Sequence, residues 1–349
     1  MLTLDLSAVR CQNGVPFLRY YWNLPVNQSH SGPLANNHAQ LGLLFISVAV
    51  LFWGMLPIAL KLSGSFIDPV TLTWFRFLVA LIVSILVQWS AGSLKQFAAL
   101  DAKVWLRLIL AGLFLMLNYV SFVYSLDYLA PGAAQLNFQT SPFFLAFGGV
   151  LFFKERLNAI QLSCFASLAL GMLMFFHPFL DFSATDNHEI WLGVMIVQFS
   201  ALSWTTYALL QKSLLNRLSP ANVLLVIYAL GIFAMAPFSD FSQFAQMNSF
   251  DWQVALFCAA NTLIAYGCFG QSMKYWPTAQ VSAMLALTPV FSFSATALVV
   301  SIGWWPEVFR ADELDALSLF GIGVIIVSVM VVQLLPLYRQ RRARRLQPI

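Results

Sequence analysis

The sequence predicts an all-α integral membrane fold: ten transmembrane helices in two inverted five-helix repeats, with both termini cytoplasmic. Three observations lead there. The first is composition. Only 9% of the 349 residues are charged and 60% are hydrophobic, against roughly 25% charged in soluble domains. The 32 phenylalanines suit the lipid-facing and lumen-facing surfaces of a helical bundle. The second is a train of long apolar stretches. The third is an internal repeat. Trp53 and Pro69 stand sixteen residues apart around Lys61, and Trp204 and Pro220 stand sixteen apart around Lys212. Tyr119, Phe122, Tyr128, Ser141 and Pro142 match Tyr266, Phe269, Tyr275, Thr288 and Pro289 at a constant offset of 147. An odd number of spans in each half turns the second copy upside down in a bilayer.

The spans are expected at 40–62, 69–89, 104–126, 130–153, 157–179, 189–211, 220–237, 252–273, 277–302 and 315–337. Each is near the ~20 residues that cross a hydrocarbon core, and 220–237 is the shortest. Several connections are only a few residues long, which makes successive helices antiparallel neighbours. The chain divides into a polar N-terminal extension (1–39), a first repeat (40–179), an inter-repeat loop (180–188), a second repeat (189–337) and a basic tail (338–349).

Lysine and arginine orient these spans. With ten crossings, Lys95, Lys103, Arg107, Lys154, Arg156, Lys212, Arg217, Lys274 and the terminal Arg339, Arg341, Arg342, Arg344 and Arg345 share one side with Arg10 and Arg19. The opposite side holds Asp68, Asp127, Asp181, Asp186, Glu189, Asp240, Asp251, Glu307, Asp312, Glu313 and Asp315, with Lys61 and Arg310 as its basic residues. One missed helix would flip every later loop and destroy the sorting. The extension and the tail are therefore expected in the cytoplasm and the inter-repeat loop outside it.

Several function classes are disfavoured. Cys11, Cys164, Cys258 and Cys268 form no CxxC, so neither a disulfide framework nor a zinc site is expected. The N-terminus lacks the early apolar region of a signal peptide. No Walker pattern or nucleotide fingerprint occurs, and no cofactor is expected. The net charge of +4 follows from loop sorting rather than from a nucleic-acid surface, and the RQRRARR run anchors the last helix or touches anionic headgroups. His, Asp and Glu do not converge by spacing, as a membrane enzyme's acid–base or metal set would. The span interiors contain no Asp or Glu, which weakens a buried carboxylate relay. A lone structural partner would not need inverted halves. A channel or a lipid scramblase stands as the alternative to a carrier, with a lipid-modifying enzyme behind it.

The segments LFWGMLPIALK, DPVTLTWFRFLVALIV, LDYLAPGAAQLNFQTSPFFLAFGGVLFFKERLNAIQLSCFASLALGMLM and SALSWTTYALLQK carry a family resemblance. The chain resembles the EamA-type branch of the drug/metabolite transporter superfamily over roughly 40–337. The run from Pro142 to Glu155, ending in KER, is the sharpest part. The second half departs from it: SIGWWPEVFRADELDA follows Pro289, with Glu307 as a displaced counterpart of Glu155. The resemblance implies alternating access around a central cavity in the bacterial inner membrane. It also implies export of small metabolites, amino acids or amphipathic drug-like solutes. The expected partners are a small-molecule substrate and membrane lipids but no nucleic acid, in a monomer, with a dimer left open.

Polar groups inside a membrane need partners or a watery cavity. Asn118 and Tyr119 fall in the third span, Gln135 and Gln139 one turn apart in the fourth, and Trp204 and Tyr207 in the sixth. Asn261 and Tyr266 fall in the eighth, Gln280 opens the ninth, and Trp53 is the repeat partner of Trp204. Together they form an expected substrate site with aromatic, uncharged walls. Each polar member also has a structural reading as interhelical glue. Arg76, about 10 Å inside its helix at 1.5 Å per residue, costs about 2.5–3.5 kcal/mol at a helix centre. It is expected to reach a vestibule on the non-cytoplasmic side and attract a substrate carboxylate, or else to bond helix-end carbonyls or an interfacial acid. Pro142 and Pro289 are the expected gating bends, with static kinks as the other reading. Trp22, Trp304, Trp305, Tyr275 and Tyr338 are assigned to interfacial belts. Gly148, Gly149, Gly171, Gly321 and Gly323 are assigned to close helix packing.

Overall fold

The computed structural model describes residues 33–125, 127–129, 131–177, 187–309 and 315–345. The expectations for Arg10, Arg19, Trp22, Asp181, Asp186, Arg310, Asp312 and Glu313 lie outside these residues. Among the described residues the chain is helical throughout and forms no strand. Its α-helices are α1 (Pro33–Ser63), α2 (Pro69–Ser90), α3 (Ala102–Ser125), α4 (Pro131–Phe138), α5 (Thr140–Phe153), α6 (Ala159–Phe175), α7 (Asn187–Leu214), α8 (Pro220–Met235), α9 (Ser249–Tyr275), α10 (Thr278–Leu285), α11 (Thr288–Ile302) and α12 (Ala316–Arg345). Eight helical segments, counting 278–302 as one, are long and apolar enough to cross a membrane, and 140–153 and 159–175 are shorter apolar helices. The outer two helices overrun their expected ends. The polar 33–39 region joins α1, and α12 runs eight residues beyond 337 to Arg345 in the basic tail; helix hydrogen bonding continues past the apolar stretch at either end.

The two repeats start helices with the same device. Asp68 caps α2, its Oδ1 accepting from the Val70 and Thr71 backbone N–H groups at 2.9 and 3.0 Å, with Pro69 next in line. Ser219 caps α8 through the Asn222 N–H, followed by Pro220. Such caps satisfy orphan amides, and proline is tolerated where its missing N–H had no partner.

The segments 131–153 and 278–302 are each broken rather than bent. α4 stops at Phe138, four residues before Pro142, and α10 stops at Leu285, four residues before Pro289. A proline offers no N–H to the carbonyl four residues back and its ring crowds that carbonyl, so each helix ends there and restarts. The first break is stitched to α7: Gln198 Nε2 donates to the Asn137 carbonyl at 3.0 Å, and Thr140 Oγ1 donates to Gln198 Oε1 at 2.9 Å.

Helix partners map onto themselves when the halves are exchanged. α1 packs on α9 as α7 packs on α3, and α1 meets α11 as α7 meets α5. α2 lies on α8 and α6 on α12. The backbones of α6 and α12 nearly touch: a Cβ added at Gly321 would sit 2.6 Å from the Phe175 nitrogen and 2.7 Å from the Gly171 oxygen. Gly323 differs from the expectation, because an added Cβ there would face open space.

Contacts identify the two ends of the bundle. At one end, Trp276 Nε1 after α9 donates to the Ala39 carbonyl of α1 at 3.1 Å, and the last turn of α7 meets the segment after α5. At the other, the Asp68 N–H before α2 donates to Gln243 Oε1 at 2.9 Å, and His177 after α6 lies 3.1 Å from Asp315 before α12. So α1 begins at the end where α7 finishes. Large apolar side chains such as Leu86, Leu151, Phe233, Leu319 and Met330 are exposed on the bundle's outside, as lipid contact requires and water would penalise.

Candidate functional site

The interface between the halves is built from aromatic rings. Trp53 of α1 meets Trp204 of α7 edge-on at 6.4 Å, Tyr266 of α9 at 5.2 Å and Phe269 at 5.5 Å. Trp204 adds Phe138 at 6.4 Å and Phe269 at 5.4 Å. Tyr207 meets Tyr266 at 6.1 Å. The Tyr119 and Tyr266 hydroxyls lie 3.1 Å apart. Phe77 of α2 packs on Tyr119 and, at 5.6 Å, on Tyr228 of α8. Three of these contacts join repeat counterparts, Trp53 with Trp204, Phe77 with Tyr228 and Tyr119 with Tyr266, because the helices that carry them cross near the axis relating the halves.

Arg76 is the charge inside this cluster. It is 2% exposed, with Nε donating to Thr262 Oγ1 of α9 at 2.7 Å and the guanidinium 5.8 Å from the Tyr119 ring centre. Neither the expected open vestibule nor the expected acid or helix-end partner is where the side chain goes. It spans to the middle of α9, since α2 and α9 pack together and Thr262 is the hydroxyl facing it. Thr262 Oγ1 in turn donates to the Cys258 carbonyl at 3.0 Å.

The polar expectations divide. Asn118 binds α3 to α7: its Nδ2 donates to Ser200 Oγ at 2.9 Å, and Ser200 Oγ donates back to the Asn118 carbonyl at 3.0 Å. Asn261 ties α9 to the Phe52 carbonyl of α1, leaving its Oδ1 buried without a partner. The Gln280 carbonyl accepts from Gln333 Nε2 of α12 at 2.8 Å. Gln139 is buried, and the α4–α5 break puts it in a turn, so it does not share one continuous helix face with the half-buried Gln135. Pro142 and Pro289 are both buried beside their breaks.

Residues not singled out as site members complete the arrangement. Thr262, Tyr228, Phe77, Phe138 and Phe269 join the aromatic interface; on paper nothing sets them apart from neighbouring apolar-span residues except the repeat offsets of Phe269 and of the Phe77–Tyr228 pair. At the end holding Ala39, Lys212 Nζ lies 2.6 Å from Glu155 Oε1, with the two side chains 16% and 18% exposed. Glu155 Oε2 accepts from the Thr278 backbone N–H at 2.9 Å and from its hydroxyl. The clasp thus joins the end of α5, the end of α7 and the start of α10, and a carboxylate at a helix N-terminus is favoured by the helix dipole. Gly149 makes room for it, since a Cβ there would meet Thr278 Oγ1 at 1.7 Å. Glu307 has no matching role and is exposed near the other end.

The signature of the EamA-like transporter family matches this chain twice, over residues 40–177 and 191–334. The chain belongs to the EamA-like transporter family. Among its relatives, the uncharacterized inner membrane transporter YhbE of Escherichia coli K12 is 33% identical over 297 residues, 84% of this chain and 91% of that protein. An uncharacterized transporter of Haemophilus influenzae is 32% identical, covering 83% of this chain and 94% of its own length. A probable amino-acid metabolite efflux pump of Salmonella typhimurium is 23% identical, covering 72% and 85%. A crystal structure with 19% identity superposes with a TM-score of 0.67 over 90% of this chain and 99% of that one, which shows the EamA-like chain sharing its fold. The EamA-like protein is a multi-pass membrane transporter of the bacterial inner membrane.

Proposed function

We propose that this transporter is a secondary-active carrier that exports a small metabolite, amino acid or amphipathic drug-like solute by alternating access. The observation that carries the reading is the meeting of repeat counterparts, Trp53 with Trp204 and Tyr119 with Tyr266. A site on the axis relating two similar halves can face either side when the halves rock, at similar energy. The aromatic residues and Arg76 form that site in this reading, with Gln135, Gln139, Asn118, Asn261, Tyr207 and Gln280 around it. The clasp of Glu155, Lys212 and Thr278 is the closed gate at one end. The helix breaks beside Pro142 and Pro289 are the places that move.

The same reading has ten crossings, two inverted repeats of five at 40–179 and 189–337, and both termini in the cytoplasm. Support comes from the repeated family match and from the start of α1 lying at the end where α7 finishes. The sorting of basic loops adds to it. Solute and lipid are its partners, in a monomeric unit without nucleic acid.

Transport in proteoliposomes against a metabolite mixture, with pH and voltage imposed separately, tests the function. Saturable exchange is expected. Non-saturating bidirectional flux would replace the carrier with a channel, and lipid movement would replace it with a scramblase. Single cysteines at position 95 and position 240, labelled from each side of sealed membranes, test the topology. Labelling of both from the same side contradicts the proposed crossings.

A further inference from the structure

Arg76 carries a positive charge into the bundle, and nothing among the described residues neutralises it. The two ion pairs found there, Lys212 with Glu155 and His177 with Asp315, lie at the bundle's ends. Only Nε of the guanidinium is hydrogen-bonded, to Thr262, so the Nη hydrogens have no hydrogen-bond partner among the described residues. The repeat spacing between Pro69 and Pro220 places Ile227 at the equivalent position of the second half, where it is fully buried. One half therefore brings a cation and the other brings an apolar side chain. A buried ion is retained at a cost unless a partner compensates it, and a fold that needed only packing could repeat the isoleucine.

From this we propose that the carrier's substrate is a monocarboxylate with an aromatic or apolar body, its carboxylate paired to Arg76. The inference rests on the carrier reading and narrows it. The planar guanidinium fork matches a carboxylate in two parallel hydrogen bonds. The Tyr119 ring lies 5.8 Å from the guanidinium and carries one member of the Tyr119–Tyr266 hydroxyl pair as a further polar group, and Trp53 and Trp204 offer ring faces and edges to the rest of the molecule. Charge counting sets the selectivity. A single interior cation balances a single negative charge, so a dianion keeps one charge unpaired. An ammonium group, on a cation or on a zwitterion, meets no carboxylate among the described residues of the bundle interior.

The test uses the purified full-length chain and matched probes: phenylacetate and indole-3-acetate, their neutral amides, phenethylamine and phenylalanine. Tryptophan fluorescence reads binding, and counterflow in proteoliposomes reads transport. The carboxylates are expected to bind at least tenfold more tightly than their amides, with the amine and the zwitterion weaker still. Arg76→Gln should collapse that ratio by weakening the acids far more than the amides, and Arg76→Lys should keep part of it. Equal binding of acid and amide by the wild-type protein overturns the proposal, as does an equal loss of both in R76Q. Should R76Q fail to elute as a monodisperse species, the wild-type ratio and R76K decide. Saturable movement of the amine or amides without the acids sinks this proposal and leaves the carrier standing. If no probe and no metabolite moves, the carrier fails, while the fluorescence ratio still judges the Arg76 site.

Discussion

Tyr119 and Tyr266, which occupy the same place in the two repeats, hold their hydroxyls 3.1 Å apart between the halves. One of them must donate and the other accept, so the pair is asymmetric at any instant even though its residues are equivalent. The contact sits where the proposed rocking motion would separate the halves.

Removing either hydroxyl breaks that bond. Tyr119→Phe and Tyr266→Phe should each cost about 0.5–1.5 kcal/mol, and the double variant should cost less than the sum. A double-mutant cycle on thermal unfolding in detergent checks this. Strict additivity would show that the two hydroxyls do not act on one another.

The Glu155–Lys212 clasp makes a second prediction. Truncating one partner of a buried ion pair leaves the other charge stranded, at about 3–5 kcal/mol when fully buried; the partial exposure of these side chains lowers that figure. Glu155→Gln and Lys212→Met should shift the population toward a state open at this end, seen as faster maleimide labelling of a cysteine placed at Thr278. The exchanged pair E155K/K212E should recover part of the wild-type protection. Unchanged labelling in all three would remove the clasp from gating.

Glycine packing between α6 and α12 can be tested against an internal control. Gly321→Ala places a Cβ against backbone atoms of Gly171 and Phe175, which cannot swing away as a side chain would. A loss of about 1–3 kcal/mol is expected. Gly323→Ala faces open space and should leave the melting temperature within error or raise it slightly, because alanine favours the helix.

Proline replacement separates gating from static shape. Pro142→Ala and Pro289→Ala each restore an N–H that can close the gap before α5 or α11. Turnover should fall several-fold while thermal stability holds or rises. If turnover is unchanged, the breaks serve shape alone.

Much of the fold is legible in residue order. The apolar stretches follow from the need to satisfy every backbone group inside lipid, and the repeat offsets of 147 and 151 are visible without coordinates. Caps at Asp68 and Ser219 are readable too, because capping is a local event. The aromatic convergence of Trp53, Trp204, Tyr119 and Tyr266 is half legible: repeat counterparts are recognisable, but their contact depends on which helices cross near the axis. The Asn118 side chain bonds a neighbouring helix, a contact that residue order does not announce, since a polar side chain in an apolar helix has the same appearance whether it faces a neighbour or a substrate.

Residue order alone establishes the class of protein, its apolar segments, the duplication and the presence of a costly interior arginine. Each of these follows from local composition or from spacing along one chain. Helix packing settled what faces that arginine, that Glu155 meets Lys212 across 57 positions, and that α4 and α10 stop four residues short of Pro142 and Pro289. Those outcomes depend on helix crossing and on hydrogen-bond partners distant in sequence, and no one-dimensional pattern encodes which of several equivalent side chains will be met.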